Sequence, residues 1–183
     1  MKRISLKEDN SILKDVGDLY LTAFPENERP PLEWLLKAFH TSDSNSIYGY
    51  YENGSFIGFS YVTTYKDIAY VCYLAVSESQ RNKGWGTKIL NNIKDLYKDY
   101  VILLCYEEVD EKYPDNELRK RRKSFYERNG FKDNGLKTRE GPVVYESGRI
   151  GEKKVGFSSY TKIFDLCYGS GASQKYLKCV KEY

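Results

Sequence analysis

The chain has 183 residues, of which 40% are hydrophobic and 30% are charged, and its formal net charge is +3 at pH 7. This balance excludes a disordered chain and a membrane-embedded one, and the length suits a single domain, residues 1–183, with a sizeable core. The net charge is too small to indicate nucleic-acid binding by itself. With one histidine and four widely spaced cysteines, no metal site is expected.

The amino-terminal residues 1–8 lack the hydrophobic stretch of a secretory signal. No apolar run in the sequence approaches the length of a membrane span. We therefore expect a cytoplasmic protein that does not interact with membranes.

The first half of the chain alternates strand-like and helix-like patterns. After a predicted strand at residues 2–7, apolar residues recur at helical spacing over 11–24 and again over 32–39. Asn53-Gly54 then suits a tight hairpin turn, because both residue types adopt positive backbone φ angles readily. The two hairpin strands are predicted at residues 47–51 and 56–64.

The second half predicts a buried strand at 68–76, followed by a polar turn and a helix that starts near Gly84. The strand is rich in β-branched and aromatic residues and too apolar for a solvated edge, whereas the helix has one apolar and one polar face. The remaining predicted elements are a buried strand at 100–105, a helix at 116–128 with Gly130 as its stop, and a last strand at 143–145.

These elements predict a mixed α/β sheet with helices on both faces, because the early strands connect as hairpins and the later ones through helices. The carboxyl-terminal extension, residues 151–183, is predicted as two helices, the second carrying Tyr176, Leu177 and Val180. A strand within 154–164 is the alternative. We assign this extension a role in packing on the domain or in a homodimer interface.

The turn between the strand at 68–76 and its helix is basic and rich in glycine. A helix start leaves amide N–H groups unpaired and carries the positive end of the helix dipole, so it attracts anions. Gly84 and Gly86 remove side chains that would hold a ligand away, while Arg81 and Lys83 add positive charge. The turn is therefore either a diphosphate site or an ordinary strand-to-helix connection.

The pattern Arg81-x-x-Gly84-x-Gly86, placed between a strand and a helix, resembles the acyl-CoA signature of the GNAT superfamily of N-acyltransferases. It lacks the glycine spacing of dinucleotide-binding and nucleoside-triphosphate loops. A second block, residues 124–131, resembles the later helix of that family and its glycine exit. The resemblance covers residues 4–145 and is detailed in these two blocks.

The resemblance implies an α/β N-acetyltransferase that uses acetyl-CoA as co-substrate. In this family the sheet opens between two parallel strands, and pantetheine pairs with the backbone of the first, here Leu74, Ala75 and Val76. The diphosphate would bind the amides at the helix start. These belong to Arg81, Asn82, Lys83, Gly84, Trp85, Gly86 and Thr87.

Two kinds of side chain are candidates for the proton transfers. Tyr126 matches the tyrosine that many family members use to protonate the departing sulfur; the alternative is a core tyrosine. Glu107 and Glu108 follow a buried strand, on the side where α/β sheets usually place ligands. A carboxylate there could accept the amine proton or could lie in a solvated acidic loop. Of the two, we choose Glu107 as the predicted base.

The acceptor site is predicted from the segment between the first two helices, which in this family helps to wall that site. A polar amine could bind between Glu28, Arg29 and Trp34. Equally, the two charged residues could cap a helix and the tryptophan could lie in the core. The acceptor itself is left open between small-molecule amines and peptide amines.

The sequence departs from the family at Arg119, where many members have asparagine seven residues before the tyrosine, and this puts one pantetheine contact in doubt. Arg119 opens a basic run, 119–123, which motivates a rival hypothesis, a nucleic-acid-binding module. The acidic stretch 107–117 immediately upstream opposes a polyanion, so no nucleic-acid partner is expected. A third hypothesis is a catalytically silent acyl-CoA sensor.

Overall fold

The computed structural model describes residues 1–26 and 29–181, which form one mixed sheet flanked by helices. The strands β1 to β8 span Lys2–Ser5, Asn45–Glu52, Ser55–Tyr65, Ile68–Val76, Val101–Glu107, Lys132–Glu140, Val143–Ile150 and Leu177–Lys181. The helices α1 to α6 span Leu13–Ala23, Leu32–Thr41, Trp85–Leu96, Asn116–Arg128, Phe157–Tyr168 and Ala172–Tyr176. None of these helices has the length and apolar character that crossing a bilayer requires.

The eight strands lie in the order β1-β2-β3-β4-β5-β7-β6-β8. Strand β4 pairs with β5 in parallel, whereas the other neighbouring strands described here are antiparallel. Helix α3 makes the crossover between the two parallel strands, as such a connection requires. The predicted mixed α/β sheet is therefore confirmed.

Both faces of the sheet are covered by helices, because successive strand residues point to opposite faces. In β4, Tyr73 and Ala75 belong to the cluster packed by α1 and α2, whereas Leu74 and Val76 pack with the cluster of α3 and α4. Helix α5 covers a third cluster on the same side of the sheet as α1 and α2. Its Cys167 also belongs to the cluster that α1 and α2 pack against. The predicted placement of helices on both faces is thus also confirmed.

Several elements lie where the local sequence pattern placed them. Strand β4 and helix α4 have the predicted bounds. The hairpin turn between β2 and β3 has φ angles of 49° at Asn53 and 78° at Gly54, as a tight two-residue turn requires. Gly130 follows α4 with a φ of 89°, which is the left-handed stop that glycine favours.

Strand β6 is absent from the prediction, because Leu136 is the one large apolar side chain among its nine residues. Asn134 and Thr138 are only 2% and 1% exposed. The Asn134 amide donates to the Val155 carbonyl at 2.9 Å, so its burial is compensated by a hydrogen bond. A strand with a single buried apolar side chain shows no apolar alternation, which is the signal that sequence reasoning uses.

The carboxyl-terminal extension is only partly helical. Its first helix is confirmed as α5, and no strand occupies 154–164. The second predicted helix is wrong: α6 ends at Tyr176, and Leu177–Lys181 forms β8, in which Cys179 pairs with Thr138 of β6. The unpaired edge of β6 offers backbone hydrogen bonds that a short exposed helix cannot match, and so short an apolar pattern does not distinguish strand from helix.

Candidate active site

A cleft opens in the sheet where β4 and β5 stop pairing with each other. Their parallel pairing ends where Val71 lies opposite Leu104, although β4 continues to Val76 and β5 to Glu107. The diverging strand ends line a cavity of about 260 Å³. Backbone groups of residues 72–76 that point toward β5 therefore have no partner on that strand, and they are available to a ligand.

Six of the predicted site residues line this cavity, although they come from different elements. They are Leu74, Ala75 and Val76 of β4, Arg81 of the following loop, Glu107 of β5 and Tyr126 of α4. The fold thus brings together the predicted pantetheine strand, one cation of the predicted diphosphate loop and both predicted catalytic side chains.

The loop before α3 leaves amide groups exposed at the helix start. Gly84 precedes the helix with a φ of 78°, a conformation that favours glycine. A Cβ at this position would meet no atom within 4 Å, so the space above the loop is open. The Lys88 amide makes the first intrahelical hydrogen bond, to the Gly84 carbonyl at 3.2 Å. The amides from Gly84 to Thr87 precede that bond, which makes this helix start suitable for an anion.

The side chains of this loop are held in different ways. Arg81 donates through Nε to the Val76 carbonyl at 3.3 Å, which ties the loop to the end of β4. Lys83 donates to a backbone carbonyl of its own loop at 2.8 Å. The Trp85 ring packs with the α3 cluster, and Lys88 Nζ lies 4.0 Å from its centroid. Trp85 can therefore offer its backbone amide to a ligand, but not its ring.

Gly86 has a packing role that the sequence does not reveal. A Cβ on Gly86 would lie 3.0 Å from the ring of Phe125, so glycine allows α3 to approach α4 closely. Phe125 is the neighbour of Tyr126 in α4. The contact therefore couples the helix that presents the loop amides to the helix that carries the predicted acid.

Tyr126 lies among aromatic rings beside the cleft. Its ring centroid is 5.8 Å from that of Tyr106, nearly parallel to it, and also 5.8 Å from that of Phe131. Burial raises the pKa of Tyr126 to about 12; the Arg122 guanidinium opposes this rise and the Glu107 carboxylate adds to it. The phenol is therefore protonated at neutral pH and able to donate a proton.

The two acidic candidates at the end of β5, Glu107 within the strand and Glu108 just after it, have different partners. Glu107 is buried and forms an ion pair with Arg122 of α4. Glu108 accepts hydrogen bonds from Lys112 at 2.8 Å and Lys137 at 2.9 Å, which outweigh burial and lower its pKa to about 2. Glu108 is thus a poor proton acceptor, whereas the Glu107 carboxylate contacts the single cation of Arg122.

The basic run of α4 is largely paired within the chain. Arg119 forms an ion pair with Asp115 at 2.9 Å and donates to the Glu108 carbonyl at 3.1 Å. It therefore holds the acidic loop after β5 and does not line the cleft. Lys120, Arg122 and Lys123 form ion pairs with Glu111, Glu107 and Glu146, respectively.

A second cavity, of about 310 Å³, adjoins the cleft. The two share four lining residues, Tyr73, Glu140, Tyr145 and Tyr168. Two of the three predicted acceptor residues, Arg29 and Trp34, line the second cavity. The third, Glu28, lies outside the described residues. Trp34 is 40% exposed, so its interpretation as a core tryptophan is wrong.

Glu140 is a functional candidate that sequence reasoning missed. It ends β6 at the junction of the two cavities, and its Oε1 accepts from the Tyr160 hydroxyl at 2.6 Å and from Thr138 at 3.4 Å. Burial raises the pKa of Glu140 to about 7, against the lowering effect of these two hydrogen bonds. The carboxyl is followed by Gly141-Pro142 and so looks like part of a polar turn, which is why the sequence carried no signal for it.

We expect the Glu140→Gln variant to become more stable than the wild type as the pH rises from about 5 to 8. Unfolded Glu140 ionises near its ordinary pKa of 4.5, whereas folded Glu140 stays protonated up to about 7. Between these values the folded chain binds more protons, so the wild type loses stability as pH rises, by at most about 3 kcal/mol. Glutamine does not ionise and avoids this loss.

Urea unfolding of both proteins at the two pH values measures this difference. The exposed Glu33→Gln variant is the control, and its stability relative to the wild type should be independent of pH. A Glu140→Gln difference that stays constant across the range would contradict the prediction.

A mixed sheet that splits between two parallel strands, beside a helix start whose amides can meet an anion, defines an α/β protein with a phosphate-compatible cleft. In a comparison with protein families, the model of the Acetyltransferase (GNAT) domain matches residues 43–133 of this chain. This range includes β4, the glycine-rich loop, α3, β5 and α4. Residues 43–133 therefore form a domain of the GNAT superfamily.

Solved structures share this fold. A GNAT-family protein from Bacteroides thetaiotaomicron superimposes with a TM-score of 0.75 and 21% identity, over 92% of this chain and 99% of that one. An aminoglycoside 6′-N-acetyltransferase complexed with coenzyme A superimposes with a TM-score of 0.63 and 18% identity, over 84% of this chain and 99% of that one. A GNAT acetyltransferase from Elizabethkingia anophelis with acetyl-CoA bound has a TM-score of 0.61 and 15% identity, over 82% of this chain and 97% of that one. No curated protein matches the chain by sequence.

Proposed function

We propose that this protein is an acetyl-CoA-dependent N-acetyltransferase that moves the acetyl group directly to a primary amine within a ternary complex. The observation that carries the proposal is the cleft between β4 and β5, where Tyr126, Arg81 and the end of β4 meet beside the exposed amides of α3. Membership of the family, and the coenzyme A and acetyl-CoA complexes of similarly folded proteins, support acetyl-CoA as the donor.

The donor would bind mainly through backbone groups. Its diphosphate would lie on the amides from Arg81 to Thr87, where the helix dipole and the Arg81 guanidinium favour negative charge. Its pantetheine arm would lie along residues 74–76, whose backbone groups have no partner on β5. An amide of this strand end would donate to the thioester oxygen and polarise the carbonyl.

In the transfer step, the neutral amine nitrogen forms a bond to the thioester carbon and the carbon–sulfur bond breaks. Tyr126 would give its phenolic proton to the departing thiolate, because the group is protonated at neutral pH and lines the cleft. Glu107, the base proposed from the sequence, lines the same cavity, where it would accept the amine proton in competition with its ion pair to Arg122.

Direct transfer is favoured over an acyl-enzyme intermediate. Cys72 and Cys105 line the cleft, but burial raises the pKa of both thiols. A thiol that stays protonated is a poor nucleophile, since the thiolate is the reactive form. Neither cysteine is therefore suited to carry the acetyl group.

The rival functions are separated by their ligands. Four of the five residues in the basic run of α4 form ion pairs with acidic side chains of the described chain, which leaves the run little charge for a nucleic acid. An acyl-CoA sensor would bind coenzyme A but release no thiol from acetyl-CoA when amines are added. Calorimetry with coenzyme A, combined with a thiol-release assay on a panel of amines, therefore tests the proposal.

A matched pair of glycine variants tests the loop. Gly84 and Gly54 both have a φ of 78° and open space at the Cβ position, so Gly84→Asp and Gly54→Asp introduce similar strain. Aspartate tolerates this conformation, but at position 84 its charge would repel the diphosphate. We expect coenzyme A to bind at least about tenfold more weakly to Gly84→Asp, roughly 1.4 kcal/mol, and unchanged to Gly54→Asp. Equal affinities would remove the loop from the donor site.

A further inference from the structure

The second cavity has aromatic walls that come from five different elements. Trp34 of α2, Tyr73 of β4, Tyr145 of β7, Phe164 and Tyr168 of α5, and Tyr176 of α6 line it. The inner rings support one another, since the centroids of Phe164 and Tyr168 are 4.5 Å apart and the Tyr168 hydroxyl donates to that of Tyr73 at 3.4 Å. Trp34 and Tyr176 are 40% and 36% exposed and lie toward solvent. These six rings form an aromatic box, which suits a ligand with an apolar or aromatic body.

Two charged side chains of opposite sign complete the lining among the described residues, Arg29 and Glu140. Arg29 is oriented by a hydrogen bond from Nε to the Phe24 carbonyl at 3.0 Å. A ligand with one positive charge can meet Glu140 and the aromatic faces. A second positive charge would find no further carboxylate in this lining and would be repelled by Arg29.

The Glu140 carboxylate has one oxygen available. Both of its hydrogen bonds, from Tyr160 and Thr138, end on Oε1, and Oε2 has no hydrogen-bond or ion-pair partner among residues 1–26 and 29–181. The groups around it are uncharged near neutrality, because burial raises the pKa values of Tyr160, Tyr70 and Cys105. Since Glu140 also lines the cleft, a group bound to Oε2 lies at the border of the donor and acceptor cavities.

We propose, on the basis of the acetyltransferase function above, that the second cavity selects primary monoamines carried on an aromatic or apolar body. Glu140 binds their ammonium group and accepts its proton.

The proton balance of this reaction is complete without a further reactant. The ammonium gives one proton to Glu140, which returns it to water. The neutral nitrogen then attacks the thioester carbon and the carbon–sulfur bond breaks. Tyr126 protonates the departing thiolate, and the second proton that the nitrogen loses passes through solvent to the Tyr126 phenolate, which restores the phenol. A carboxyl group that titrates near neutrality suits this exchange with solvent. In this refinement Glu140 takes the place of Glu107 as the proton acceptor, and Glu107 stays in its ion pair with Arg122.

A panel of amines tests the selectivity. With the full chain and acetyl-CoA, we expect phenethylamine to be acetylated with a kcat/KM at least about 100-fold higher than spermidine, kanamycin or ethylamine. Spermidine and kanamycin carry several charges, and ethylamine lacks the aromatic body. A polycation or a peptide amino terminus that is acetylated faster than phenethylamine would overturn this inference while leaving the acetyltransferase function intact.

Two variants separate the roles of the box and the carboxylate. Trp34→Ala should raise the KM for phenethylamine about tenfold and leave ethylamine unaffected, whereas Leu118→Ala, an exposed residue outside both cavities, should change neither. Glu140→Gln should lower kcat/KM for phenethylamine about 100-fold and abolish the acidic limb of the pH profile near 7, with coenzyme A affinity retained. Glu33→Gln is the matched control.

Two further outcomes keep the two proposals apart. If the pH profile of the Glu140→Gln variant retains its acidic limb, Glu140 is excluded as the proton acceptor. Quenching of intrinsic tryptophan fluorescence by phenethylamine, lost in Trp34→Ala, supports the binding site independently of turnover, and its absence in the wild type contradicts it. If coenzyme A does not bind, or no amine releases thiol, the acetyltransferase function itself fails.

Discussion

Gly58→Ala should destabilise the protein by about 3 kcal/mol and weaken coenzyme A binding at the same time. Gly58 lies in β3 opposite Val76, at the end of β4 that lines the cleft. A Cβ at this position would overlap the backbone carbonyl oxygen of Ala75 and lie 3.1 Å from the Val76 Cα. Because backbone atoms cannot rotate away, β4 itself would have to move, and it is the strand proposed to hold pantetheine.

Gly49→Ala is the matched control for this effect. Gly49 lies in the neighbouring strand β2, and a Cβ there would meet the side chains of Tyr51 and Ile12 at 3.1 and 3.2 Å. These are side-chain atoms, which can shift, so we expect a smaller loss of stability and unchanged coenzyme A affinity. Urea unfolding and calorimetry measure the two quantities. If Gly58→Ala proves as mild as Gly49→Ala, the close approach of β3 to the end of β4 is not required.

Tyr126→Phe should lower kcat on the order of 10³-fold and leave the affinity for coenzyme A unchanged. The substitution removes only the phenolic oxygen. No hydrogen bond among the described residues involves this hydroxyl, and the packing against Tyr106 and Phe131 is kept. The loss should therefore fall on departure of the thiolate and not on binding or stability.

Tyr106→Phe controls for the general effect of losing a buried hydroxyl. Tyr106 is 5% exposed, and it stacks on Tyr126 but does not line either cavity. We expect it to change kcat less than about threefold. Single-turnover and steady-state thiol release distinguish the two variants. A Tyr126→Phe enzyme with undiminished acetyl transfer would remove the phenol from the mechanism.

The donor side of the site was predictable because its parts are neighbours in the chain. A strand, a glycine-rich turn and a helix follow one another from Ile68 to Leu96, and each has a local signal in apolar spacing or in glycine placement. The exposed amides follow from the helix start alone. Tyr126 was found through the second block of the family resemblance, and the fold places it in the same cleft as Val76.

The choice between Glu107 and Glu108 was not available from the sequence. The two are adjacent and chemically alike, but in the fold one meets Arg122 and the other meets Lys112 and Lys137. Those partners come from α4, from the following loop and from β6, so the difference in their proton chemistry depends on tertiary contacts.

The sequence by itself determined the mixed sheet and the strand-to-helix loop with its glycines, because each depends on residues within a few turns of one another. On the side of the second cavity the sequence indicated Arg29 and Trp34, whereas the tertiary structure alone added Glu140 and the other aromatic rings. Glu140 lies on a strand with a single buried apolar side chain, and the rings that line its cavity come from Trp34 to Tyr176, far apart in the chain. Local patterns report how a segment folds, whereas the chemistry of a pocket depends on which distant segments the packing brings together.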